Sequence, residues 1–158
     1  MASLACASAW AQDELVEVGL SDVAVDNFRE GVRGLEEGRF RQAKGRFWKV
    51  HLTNRTHPQT LWGLGEAYQG DGQLEQAAEW FGECAHLLDE CAYSASKLSI
   101  RLERFQEALD RLERLAGEQG DEVEARVHWA LMEAHLGLGS PIEALEAAGA
   151  FSSQERGL

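Results

Sequence analysis

No apolar run in the chain reaches the ~18–20 residues that a membrane-crossing helix needs. Cysteine occurs three times, at Cys6, Cys84 and Cys91, too few for a disulfide-stapled scaffold. Basic side chains are in deficit: 15 Lys and Arg stand against 27 Asp and Glu, a formal charge of −12. Such a surface repels phosphate backbones, which argues against sequence-independent nucleic-acid binding. No strand is evident, so no glycine-rich phosphate loop follows one, and no Ser or Cys carries a local nucleophile signature. The histidines are scattered. His128 and His135 share a predicted helix but lie about two turns and roughly 10 Å apart by helix rise, with no further ligands for a shared ion. No catalytic residue, cofactor or metal is expected, and an α-helical enzyme is the least supported reading. Glu36-Glu37 and the run 118–124 read as solvated faces and turns.

What is present is ordinary globular material. The 158 residues are 44% hydrophobic, enough for one domain with a sizeable core. Residues 1–20 stand apart as an N-terminal segment. MASLACASAWA is small and apolar, and AWAQ resembles the end of a secretory signal peptide, although no basic region precedes it. The alternative is a frayed helical N-terminus. Export to a periplasm-like compartment follows from the first reading and a cytoplasmic location from the second. Residues 13–20 are candidates to shield the first helices.

The chain repeats. Ala43, Ala77, Ala108 and Ala144 are separated by 34, 31 and 36 residues, and several ladders keep that register. Three before each alanine stand Phe40, Leu74, Phe105 and Ile142; four after stand Phe47, Phe81, Leu112 and Ala148. Five before are Gly38, Gly72, Glu103 and Gly139; twelve before are Gly31, Gly65, Ser96 and Met132. Each unit reads as two helices around a short glycine turn. Leu61, Leu64, Ala67 and Tyr68 have the i, i+3, i+4, i+7 spacing of a first helix. The second helix of that unit is expected to run to Leu87 or Leu88. Ser21 is a plausible cap for the opening helix, Pro58 suits a first helical position, and Ser140-Pro141-Ile142-Glu143 has the form of a capping box. Gly31 and Gly65 fall where two helices must approach closely; the packing gained offsets a propensity cost of roughly 1 kcal/mol per glycine.

The pattern resembles the tetratricopeptide repeat. Residues 58–91 match best, with Leu64-Gly65, Tyr68, Gly72, Ala77, Phe81 and Cys84 at the family spacing; the leading Trp is displaced to Trp62. Residues 24–57 keep Gly31, Gly38, Ala43 and Phe47, and residues 125–158 keep Leu131, Gly139, Ala144 and Phe151. The third unit, about 89–122, is degenerate, with Ser96 and Glu103 at the glycine positions and an expected shortened first helix. The resemblance implies an all-α fold: a right-handed α-solenoid of antiparallel helix pairs, about four repeats over residues 21–151, with 152–158 as a tail. One unit cannot bury its apolar face alone, so stacking is obligatory.

The same resemblance implies a non-catalytic module that binds a partner protein or peptide in a concave groove lined by first helices. Fifteen before each alanine stand Phe28, Trp62, Tyr93 and Trp129, all aromatic. They form a candidate groove row, with Glu66, Lys97, Arg101 and Glu133 around it, suited to an apolar or amphipathic segment with basic flanks. Packing between repeats is the competing reading of the same rings. The clamp with which some relatives grip a C-terminal carboxylate is not matched, since Phe28, Val32 and Glu66 occupy its places. Trp80 reads as core edge or as a convex-side contact. Cys84 stands at a small-residue core position and is expected to be a buried thiol; a disulfide to Cys91 would need Cα atoms within ~7 Å and an oxidising compartment. After Phe151 no polar capping helix is apparent. This suggests a second function: an assembly segment of a larger, envelope-associated complex, docking or self-associating through the last repeat, where a partner would cover Leu145 and Phe151.

Overall fold

The computed structural model describes residues 19–119 and 125–155. The N-terminal segment up to residue 18, the last three residues of the tail and the side chains from residue 150 on, Phe151 among them, lie outside the described residues. Eight helices and no strand occur among the described residues: α1 (Asp22–Glu36), α2 (Phe40–Thr53), α3 (Pro58–Gly70), α4 (Leu74–Cys84), α5 (Asp89–Arg101), α6 (Phe105–Gln119), α7 (Ala125–Gly137) and α8 (Pro141–Glu155). The chain divides into two compact units between Leu87 and Leu88. In the first, α1 pairs with α2 and α3 with α4, while α3 also packs on α1 and α2. In the second, α5 pairs with α6 and α7 with α8, while α7 packs on α5 and α6. Each unit is thus two stacked helix hairpins, the all-α helical-repeat architecture.

Helix starts follow local chemistry. The Ser21 hydroxyl accepts the Ala24 amide at 3.3 Å and caps α1. Pro58 opens α3, and the preceding residue, His57, supplies the cap: its Nδ1 accepts the Thr60 amide at 3.3 Å and lies 2.7 Å from Thr60 Oγ1. At α1 this satisfies a donor of the first turn, and at α3 the Thr60 amide is shared between the His57 ring and the His57 carbonyl, the latter at 3.1 Å.

All four hairpin turns share one backbone solution. In the first, the Gly38 amide donates to the Leu35 carbonyl at 3.1 Å and the Arg39 amide to the Gly34 carbonyl at 2.8 Å. These are the paired bonds of a helix-ending turn with one left-handed residue. The same bonds recur with Gly72 and Gln73, with Glu103 and Arg104, and with Gly139 and Ser140. The left-handed residue has φ of +69°, +78° and +73° at the three glycines, and +58° at Glu103. The third turn therefore keeps its shape without glycine, at a steric cost that glycine avoids.

The ladder alanines are all buried. The glycines opposite them make room for aromatic rings. A Cβ on Gly31 would lie 2.8 Å from the Phe47 ring, and one on Gly65 would lie 2.6 Å from the Phe81 ring, inside any normal contact. A Cβ on Gly63 of α3 would lie 2.6 Å from the same Phe47 ring, so this ring packs on glycines of α1 and α3 and ties the two hairpins together. Where the third repeat has Ser96 it has Leu112 in place of the ring, and both are fully buried.

Three expectations are corrected. Helix α5 is not shortened: it has 13 residues, as α3 does. The short spacing comes from α4, which has 11 residues against 14 in α2 and ends at Cys84 instead of Leu87 or Leu88. Cys84 is no free thiol either; Cys84 and Cys91 are both buried and disulfide-bonded.

Glu103→Gly is expected to raise stability by about 0.5–1 kcal/mol, because it relieves a left-handed non-glycine residue. Urea unfolding followed by circular dichroism reads this directly. A loss of stability would show that the Glu103 side chain outweighs its backbone strain.

Candidate functional site

The four aromatic positions of the first helices end in different surroundings. Phe28 is 3% exposed; its ring lies edge-on to Phe47 at 5.6 Å and to His57 at 5.7 Å. Trp62 is 4% exposed. Tyr93 is half-buried, with the Arg126 guanidinium over its ring at 4.8 Å. Trp129 is 57% exposed. The physical reason is visible twice. His57 at the start of α3 covers Phe28, and Arg126 at the start of α7 covers Tyr93, so each ring is roofed by the helix that opens the next repeat. Phe28 and Trp62 are therefore core residues, and the expected open row does not extend to them. Packing between repeats is what Phe28 does.

The charged groove candidates divide similarly. Lys97 and Glu133 form an ion pair between α5 and α7. Arg126, besides roofing Tyr93, stands 3.6 Å from Glu90. Arg101 is exposed and Glu66 half-buried. Lys97 and Glu133 thus neutralise each other, leaving Arg101 as the exposed cation of the candidate set.

Unit 2 carries several large apolar side chains that are exposed. On α7, Trp129 and Leu136 are two turns apart on one face, and both are exposed; on α8, Ile142 is 69% and Leu145 73% exposed. The helix 141–155 carries Glu143, Glu146 and Glu155 and no Lys, Arg or His. An apolar patch of this kind with a polar rim is the usual mark of an interaction surface.

An aromatic cluster on α2, α3 and α4 is the feature that sequence reasoning found only in part. Trp48 and Trp80 meet edge-on at 5.2 Å, with His51 edge-on to both at 5.3 and 5.2 Å. Tyr68 stacks on Trp80 at 6.4 Å and receives the Trp48 indole N–H on its hydroxyl at 3.4 Å. The ammonium of Lys44 sits 4.7 Å above the Tyr68 ring and 2.6 Å from Asp71, whose carboxyl it holds below the usual range. Burial, reinforced by the Arg55 charge and opposed by Glu83, pushes His51 below the ordinary imidazole value. Trp80 is half-buried among these rings, as a core-edge reading expects. The i, i+3 pair Trp48 and His51 was the signal that could have revealed the rest. Among the described residues no three metal-ligating side chains converge.

With this geometry in view, the fold defines a helical-repeat protein, and solved structures of MamA share it. The chain is similar to a crystal structure of MamA at 23% identity, over 81% of this chain and 75% of that one, with a TM-score of 0.72. A second crystal structure of MamA is similar at 21% identity over 87% and 75%, with a TM-score of 0.77. MamA from residue 41 to its end, from Desulfovibrio magneticus RS-1, is similar at 19% over 85% and 77%, with a TM-score of 0.76. At these identities the likeness concerns the fold. No protein-family model and no curated protein matches the chain.

Trp62→Ala is expected to cost about 3–5 kcal/mol, as for a fully buried large ring, and Trp129→Ala less than about 1 kcal/mol. Denaturant midpoints of the two variants separate the roles; equal losses would mean that Trp129 is also structural.

Proposed function

We propose that the chain is a non-catalytic protein–protein interaction module of the tetratricopeptide type, and that it engages a partner protein through unit 2. The observation that supports this most strongly is Trp129: a large ring 57% exposed at a position where Phe28 and Trp62 are core. A buried-type residue kept in solvent marks a surface that something else covers. Tyr93, Lys97, Arg101 and Glu133, on the same two first helices, form the polar surroundings of that contact in this reading. No membrane-spanning helix occurs among the described residues.

A second reading places the module in a larger assembly outside the reducing cytoplasm. The disulfide-bonded state of Cys84 and Cys91 favours it, because such bonds persist in oxidising compartments.

The interaction reading is tested by capture of partners on the full chain, compared with Trp129→Ala and Leu145→Glu. Both positions are exposed, so helical circular dichroism should be unchanged while retained partner falls about tenfold, the loss of one hot-spot contact. Undiminished capture by both variants contradicts the reading.

A further inference from the structure

Unit 2 shows how a hairpin face of this kind is covered by a helix. Helix α7 lies across α5 and α6. Near its start Arg126 roofs Tyr93. Eleven residues later Gly137 receives the Phe105 ring so closely that a Cβ there would overlap it. Between these two contacts about 16 Å of helix spans the hairpin. Unit 1 repeats the arrangement: His57 roofs Phe28, and Gly70 receives Phe40. The register then assigns the matching positions of the last hairpin. Trp129 corresponds to Tyr93, Ile142 to Phe105 and Leu145 to Leu109. Leu109 is 7% exposed and Leu145 73%. Tyr93 and Phe105 are half-buried, while Trp129 and Ile142 are exposed. All three positions are more exposed in the fourth repeat than in the third.

From this geometry, and resting on the interaction reading above, we infer that the α7–α8 face binds an amphipathic helix of a partner protein. That helix carries a basic residue near its N-terminal end and a glycine about three turns later. The basic residue lies over Trp129, as Arg126 lies over Tyr93, where a ring face attracts a cation. The glycine admits Ile142, as Gly137 admits Phe105. Charge points the same way. The charged residues of α8 are all glutamates, with Glu143 and Glu146 beside Ile142 and Leu145, so a helix with basic flanks is favoured over an acidic one. The same glutamates disfavour a second α8 as occupant, since like charges would face each other.

The probe is a peptide of residues 125–137 with two added lysines at each end, titrated into the full chain labelled at its methyl and indole groups. Saturable shifts are expected at Ile142, Leu145 and the Trp129 indole. Leu145→Glu in the chain should abolish them without unfolding an exposed site. In the peptide, Arg126→Glu and Gly137→Leu should each weaken binding about threefold to tenfold. The inference is overturned by absence of shifts at millimolar peptide or by indifference to both peptide substitutions. It is equally overturned if the same signals move on dilution of the chain alone, which would make a second copy the occupant. If the peptide fails while partner capture still depends on Leu145, the occupant's chemistry is wrong and the interaction reading stands; if capture is also indifferent, both fall.

Discussion

The fit of a ring into the gap left by a missing side chain governs this protein. Phe47 fills the space beside Gly31 and Gly63, and Phe81 the space beside Gly65. A helix tolerates these glycines because the ring regains in packing what the backbone loses in propensity. The volumes trade along the chain. As the first-helix position runs Gly31, Gly65, Ser96, Met132, the second-helix position runs Phe47, Phe81, Leu112, Ala148. Growth on one side is met by shrinkage on the other. The third repeat, with Ser96 and Leu112 both fully buried, is therefore an alternative solution of the same packing problem. The turns follow the same logic, with Glu103 held in the left-handed conformation that its three glycine counterparts adopt freely.

A second constraint follows from stacking. Within each unit the first hairpin offers an aromatic ring and an apolar knob, and the first helix of the second hairpin meets both. That is why Phe28 is core and Trp129 is not, although the residues around them keep the same register. The proposed contact uses residues that are exposed in the fourth repeat although their counterparts in the third are covered. The exposed residues of unit 2 are aromatic and aliphatic, as are those buried inside each unit, and Glu143 and Glu146 stand beside them.

The repeat register, the helix pairs, the Ser21 cap, Pro58 at a helix start and the packing role of Gly31 and Gly65 were all legible, because each rests on spacing within about one turn or one repeat. The fate of the aromatic row was not. Exposure at Phe28 or Trp129 depends on whether another helix lies above, and residue type at the position itself carries no record of that. The length of α4 was misjudged for a similar reason: a 31-residue spacing shows that three residues are missing but not which helix gave them up. The cluster of Trp48, His51, Tyr68 and Trp80 joins three helices, so only its i, i+3 pair was visible along the chain.

The central claim is that glycine and ring are one packing unit. A double-mutant cycle at Gly65 and Phe81, converting the pair to the Ser and Leu of the third repeat, tests it most directly. Gly65→Ser alone is expected to cost about 1–3 kcal/mol by overpacking, and Phe81→Leu alone about 1 kcal/mol or more by loss of ring volume. Together they should cost less than their sum by at least about 1 kcal/mol. Strict additivity, or a double variant worse than the sum, would contradict the account.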